Sequence, residues 1–207
     1  MKLVDMTVKD YLDLLKSDAP APGGGSVSAL SAAQGVGLVA MVADLTIGKE
    51  KYAEYEEVCK AAKEGALKLY AEFVAGIDKD TEAFNKVSAA YKMPKDTDEQ
   101  KAARSAAIRE ANVGATEVPF ETVKLCLDGL KITETMVGKS NPNAASDLGV
   151  AALNLLSGIR GAWLNVKINL PGIKDEALKA KFETGEAMVD EAYVISKRIY
   201  EEVLASL

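Results

Sequence analysis

The chain has no histidine in 207 residues, and that gap removes several chemistries at once: no Ser-His-Asp triad, no imidazole base and no His-ligated metal can be built from it. Proton transfer falls to Asp, Glu, Lys or Tyr. Cysteine is nearly missing too. Cys59 and Cys126 stand far apart, without the spacing of a metal knuckle or a CxxC redox pair, and read as inert core thiols of a reducing compartment. Aromatic residues make up only 6% while alanine is abundant, which favours close-packed helices, and no strand pattern of period two is present. A formal net charge of -6 offers no general phosphate-neutralising surface, so nucleic acid is not an expected partner. The first five residues include an acidic one and lead into no apolar run with a cleavage site, so a cytoplasmic protein without a secretory signal is expected.

What is present suffices for one sizeable core, and nothing marks a second domain, so residues 1–207 are read as a single all-α domain, a bundle of long helices. The periodicity predicts a short amphipathic helix opened by Thr7 and ending near Ser17, a break over residues 19–25, and then an almost wholly apolar or small helix from Val27 to Ala43. That helix is long enough to raise a membrane span, but Ser28, Ser31, Gln34 and the terminal Asp44 argue against one. Its small residues Ala29, Ala32, Ala33, Gly35, Gly37 and Ala40 suit a central helix that other helices or a second subunit approach closely. A long helical pattern follows from about Tyr52 to Tyr91, with a kink expected near Gly76 and a stop at Pro94. Thr97-Asp98-Glu99-Gln100 offers a capping box for the next helix, which is expected to break or kink at Pro119 before continuing towards Val137. Ser146 or Asp147 then caps a further apolar helix to about Leu170, and a last amphipathic helix is predicted from about Asp175 to Leu204.

One residue stands out on the long helix. Ala66, Leu69, Phe73, Ile77, Asp80, Phe84, Val87 and Tyr91 follow at steps of three or four, so Asp80 interrupts an apolar seam. An ionised carboxylate there finds donors, shifts its pKa or does chemistry; a salt bridge to a neighbouring helix and an acid-base role both fit. Pro22-Gly23-Gly24-Gly25-Ser26 runs directly into a helix, either as a turn with Ser26 as N-cap or as backbone amides facing an anionic or electron-rich ligand. Its spacing is neither a Walker nor a dinucleotide fingerprint. Asp147, Asn154, Gly158, Gly161, Asn165 and Asn169 recur near helical spacing in an apolar segment, either as a network joining helices or as a wall reading the donors and acceptors of a flat heterocycle. Lys49 and Lys51 beside Tyr52, and Lys92 and Lys95 beside Pro94, are solvated helix-end charges or, for an anionic ligand, its first counter-charges.

Together, Pro-Gly-Gly-Gly-Ser at 22–26, Leu-Thr-Ile-Gly-Lys at 45–49, Asp80-x-x-Ala-Phe84, Ala90-Tyr91-Lys92-Met93-Pro94-Lys95, Ser146-Asp147 and Asn165-Val-Lys-Ile-Asn169-Leu resemble the cyclodeaminase/cyclohydrolase family. That family includes the C-terminal domain of formiminotransferase-cyclodeaminase and free-standing methenyltetrahydrofolate cyclohydrolases. The match runs in order along essentially the whole chain. The resemblance implies an all-helical domain that forms a homodimer, a tetrahydrofolate substrate, no metal and no separate cofactor, and an active site near the subunit interface. It implies Asp80 as the catalytic acid-base, Gly23, Gly24, Gly25 and Ser26 as the folate-proximal loop, and Asn141, Asp147, Asn165 and Asn169 as polar residues of the pocket. For a substrate with a glutamate tail, Lys49 is a local counter-charge. Ser140 and Glu50 depart from the family pattern, which often has Gly before the position of Asn141 and an uninterrupted basic run after Gly48.

Such a substrate suits a site without histidine. The bridging carbon of 5,10-methenyltetrahydrofolate is already an electrophilic amidinium, so hydrolysis to 10-formyltetrahydrofolate asks only for proton transfers that one carboxylate performs in turn. The same site acting on 5-formiminotetrahydrofolate would close the ring and expel ammonia. The sequence favours the cyclohydrolase, since no transferase is attached to hand over a formimino group. A non-catalytic folate-binding or interaction module is the alternative of a different class, and it would tolerate Asn at position 80.

Overall fold

Local side-chain chemistry sets where three of the seven helices begin. In the computed structural model, which describes residues 2–207, the chain forms α1 (Val8–Leu15), α2 (Gly24–Asp44), α3 (Glu56–Tyr91), α4 (Asp98–Met136), α5 (Ala145–Asn169), α6 (Glu176–Glu183) and α7 (Gly185–Ser206), with no strand among the described residues. Thr7 accepts the Asp10 amide to open α1, and Asp175 accepts the amides of Ala177 and Leu178 to open α6. Thr97 and Gln100 form the reciprocal capping box at the start of α4.

Several sequence expectations are corrected at the helix ends. Ser26 is not an N-cap: α2 starts at Gly24 with Gly23 as its cap, so Ser26 lies inside the first turn with its side chain turned to α3. Neither Ser146 nor Asp147 caps α5; Asn141 instead accepts the Asn143 amide in the turn that precedes it. α4 does not break at Pro119 but runs through it, and α3 is likewise continuous through Gly76. The last predicted helix is two, because the chain turns at Thr184 and Gly185 passes under Trp163 so closely that a Cβ there would stand 2.6 Å from the ring.

α2 is the centre of the bundle, packed chiefly on α3 and α5, with α4 and α7 completing the core. By length and composition it is apolar enough to cross a membrane, yet 61% of its most apolar window is buried inside the bundle. α2 and α5 run antiparallel: Gly24 lies by Asn165, Ser28 by Gly158 and Gly161, Ser31 by Asn154, and Gly35 by Ala151. A Cβ on Gly35 would stand 2.9 Å from the Ala151 carbonyl oxygen, so the missing side chain is what lets the two backbones cross. Gly37 faces open space instead. Val36, Phe73, Leu130, Leu155 and Ile159 are fully buried around this crossing, each contributing roughly 1.5–3 kcal/mol of transfer free energy to the frame that holds the site.

Candidate active site

α3 carries the site at the point where its seam leaves the core. Ala66, Leu69, Phe73 and Ile77 are buried, but beyond Asp80 the same stripe opens: Phe84 is 41% and Tyr91 54% exposed. The expected continuous buried seam is therefore corrected. The first turn of α2 lies against Asp80, so the remainder of α3 passes beyond the start of α2 and loses its cover.

Asp80 is held at that edge by α2. Its Oδ2 accepts the Ser26 amide at 2.9 Å and the Ser26 hydroxyl at 3.2 Å. That hydroxyl shares its one proton between Asp80 and the Ile77 carbonyl, which lies closer at 2.7 Å, and stands 3.3 Å from Thr81 Oγ1. Oδ1 takes no hydrogen bond from the described residues, and no cation offsets the charge. The salt-bridge reading is thereby set aside: the anchor is an amide and a hydroxyl at a helix N-terminus. Burial pushes the Asp80 carboxyl above the usual carboxylate range, and the two Ser26 hydrogen bonds draw it back in part. A carboxyl so placed gains and loses its proton closer to neutrality than an exposed one.

A cavity of about 300 Å³ opens in front of it. Gly23 and Gly24 form one side, Asp80, Phe84 and Val87 of α3 a second, and Ala115 of α4 with Asn165 and Asn169 of α5 the third. Each asparagine uses one of its two Nδ2–H donors on a backbone carbonyl, Asn165 on Gly161 at 2.8 Å and Asn169 on Ala115 at 2.9 Å. Each carboxamide oxygen is left as an acceptor. The second bond has a cause in the sequence. Pro119 has no N–H, so the carbonyl four residues back in α4, that of Ala115, loses its helical donor, and Asn169 supplies one from α5.

The structure thus brings Asp80, Gly23, Gly24, Gly25, Ser26, Asn165 and Asn169 together. It places Lys49, Asn141 and Asp147 elsewhere in the same chain, at the far end of α2, about 30 Å away at 1.5 Å per residue. There Asn141 is a pin: its amide donates to Thr46 Oγ1, its Nδ2 to the Leu45 carbonyl, and its Oδ1 accepts from the Tyr52 hydroxyl at 3.0 Å. Lys49 is exposed and Asp147 half-buried in the first turn of α5. The polar stripe of α5 accordingly divides by task. Asn154 accepts the Ser31 hydroxyl and joins α5 to α2, Gly158 and Gly161 admit Ser28, and only Asn165 and Asn169 reach the cavity. Sequence reasoning missed Thr81 and the second role of Pro119, neither of which has a local signal. Cys59 and Cys126 are buried, and burial pushes both thiols up, away from the reactive thiolate.

A helical bundle that fixes one half-buried carboxylate on a helix N-terminus, beside an amide-walled cavity, defines a class of histidine-free acid-base site. The formiminotransferase-cyclodeaminase family model matches residues 7–186, and the chain belongs to that family. It is 43% identical over 198 residues to the methenyltetrahydrofolate cyclohydrolase of Methylorubrum extorquens, covering 95% of each chain. It is 32% identical over 179 residues to the formimidoyltransferase-cyclodeaminase of Sus scrofa and spans 33% of that longer protein. The crystal structure of formiminotetrahydrofolate cyclodeaminase from Thermotoga maritima matches with a TM-score of 0.83 at 27% identity, over 96% of this chain and 98% of that one.

Proposed function

We propose that this protein is a methenyltetrahydrofolate cyclohydrolase with Asp80 as its acid-base. The observation that carries the reading is the state of Asp80: one oxygen is fixed by Ser26, the other has no protein donor, and the residue faces the cavity. The ionised carboxylate takes a proton from water as the oxygen adds to the amidinium carbon. The resulting tetrahedral carbon bears N5, N10 and a hydroxyl. Asp80 then returns a proton to N5 as the C–N5 bond breaks, and the hydroxyl proton leaves as the formyl carbonyl forms, so one proton is released overall. Asn165 and Asn169, as acceptors, suit the N–H groups of a pterin ring, and Phe84 and Val87 give its faces an apolar wall.

Mixing the protein with methenyltetrahydrofolate and following the amidinium chromophore tests this directly. Enzyme-dependent loss of the chromophore is expected; none above the spontaneous rate would overturn it. Cyclodeaminase activity is the second reading, favoured by the likeness to the Thermotoga and mammalian proteins. Ammonia release from 5-formiminotetrahydrofolate, compared at equal enzyme, separates the two.

The homodimer belongs to the same proposal. Val27 and Met41 of α2, Leu45 just past its end, and Val150, Leu153, Leu164 and Ile168 of α5 are exposed beside the α2–α5 crossing, with Leu164 at 71% and Ile168 at 78%. A second copy related by a two-fold axis across the middle of α2 buries this face against itself. In that arrangement the partner's far end of α2 approaches the glycine end of this one, so the positions of Lys49, Asn141 and Asp147 are supplied in trans to the Asp80 cavity.

A further inference from the structure

α1 lies across the junction of α2 and α3, and Tyr11 is its one buried residue, at 6% exposure. The ring packs on Ala29 of α2 and Ile77 of α3. Ala29 comes three positions after Ser26 and Ile77 three before Asp80, so Tyr11 rests on the same helix faces that present the Ser26–Asp80 pair. Its hydroxyl is the one buried side-chain polar atom among the described residues with no hydrogen-bond partner. A buried hydroxyl left unpaired is costly, and phenylalanine would fill the same space without that cost. Asp80, meanwhile, has Ser26 on Oδ2 and no donor on Oδ1.

We propose that Tyr11 is a positioning residue of the acid-base site, whose O–H turns to donate to the Asp80 carboxylate whenever that carboxyl is ionised, in the free protein as in the catalytic cycle, orienting it and stabilising its ionised form. This rests on the reading of Asp80 as the acid-base. The phenol keeps its proton throughout: burial first, and the Asp80 charge second, push it above the usual tyrosine range. No other ionisable side chain of the same chain faces Asp80, and in the proposed dimer the positions of Lys49 and Asp147 approach its cavity in trans. The cavity residues of α2, α4 and α5 are all uncharged. On α3 itself, Asp78 accepts the Leu3 amide, Lys79 pairs with Glu72, and Glu82 lines a separate cavity towards α4.

The test is a carbon-13 NMR titration of the Asp80 carboxyl in the wild-type protein and in Tyr11→Phe, with Asp80→Asn assigning the signal. Loss of the donor destabilises the carboxylate, so the midpoint of Asp80 moves up by about one pH unit in Tyr11→Phe. The acidic limb of kcat/KM moves up with it. Tyr11→Leu gives the same shift if the hydroxyl is responsible. An unmoved midpoint in Tyr11→Phe overturns the proposal, as does a shift seen in Leu but not in Phe, which would assign the effect to ring packing. The titration is read without substrate. A moved midpoint in a protein that turns over no folate would therefore uphold the Tyr11–Asp80 coupling and defeat the proposed function instead.

Discussion

Gly25 and Asp80 occupy one volume: a Cβ built on Gly25 would stand 2.0 Å from Oδ1 of Asp80 and 2.4 Å from its carboxyl carbon. The carboxylate lies directly on the backbone of the first turn of α2, and only a residue without a side chain leaves it that place. Contact this close is what brings the Ser26 amide and the carboxylate within hydrogen-bond distance.

Gly25→Ala is therefore expected to cut turnover by about 10²-fold, the scale of effect of a displacement near 1 Å at a catalytic group. Helix content is expected to hold, since Gly25 lies in the first turn of α2 and Ala is a better helix former than Gly. Steady-state kinetics with circular dichroism checks both. Near-normal turnover would show that Asp80 works equally well from another position.

Asp80→Asn keeps the shape and an oxygen for the Ser26 amide but cannot take a proton, so activity should fall by about 10²–10⁴-fold with the fold intact. The stability effect has a definite sign. Burial raises the carboxyl, so the folded state holds its proton more tightly than the unfolded state, and the wild type loses stability as pH rises through the folded pKa. The Asn variant has no such loss. Melting curves across the acidic range should show the variant gaining on the wild type with rising pH and then levelling; a gap of opposite slope would mean that the ionised carboxylate stabilises the fold.

Asn169→Ala leaves the Ala115 carbonyl, already without a helical donor because of Pro119, with nothing to accept from. A cost of about 1–2 kcal/mol is expected, together with weaker substrate binding. In a Pro119→Ala background the new N–H supplies the missing helical bond, so the same Asn169→Ala change should cost less stability while still weakening binding. A double-mutant cycle with no coupling between the two positions would contradict the account.

Leu164→Glu places a charge on the exposed α2–α5 face; if the proposed dimer forms through it, the wild type should sediment as a dimer and the variant as a monomer. If the far end of α2 acts in trans, mixing Asp80→Asn with Asp147→Asn chains should restore activity through hybrid dimers that hold one intact site. Mixtures no more active than their parents would return Asp147 to a role within its own chain.

The chain's own pattern determined the helices, most of their limits, the caps at Thr7 and Thr97 and the anomaly of Asp80, because each depends on residues within about four positions of one another. Tertiary structure alone decided what those residues do. Ser26, legible as an N-cap, became the anchor of Asp80 across 54 positions, and Asn169 reached the Ala115 carbonyl across 54 more of a different pair of helices. Pro119, which reads as a break, stayed inside α4 with its unpaired carbonyl satisfied from α5. One stripe of α5 was divided between a helix junction and a cavity wall, and Lys49, Asn141 and Asp147 were carried to the opposite end of the bundle. Helical periodicity is written in neighbouring side chains, whereas the register of one helix against another follows from how their surfaces pack, and no short stretch of sequence contains both surfaces.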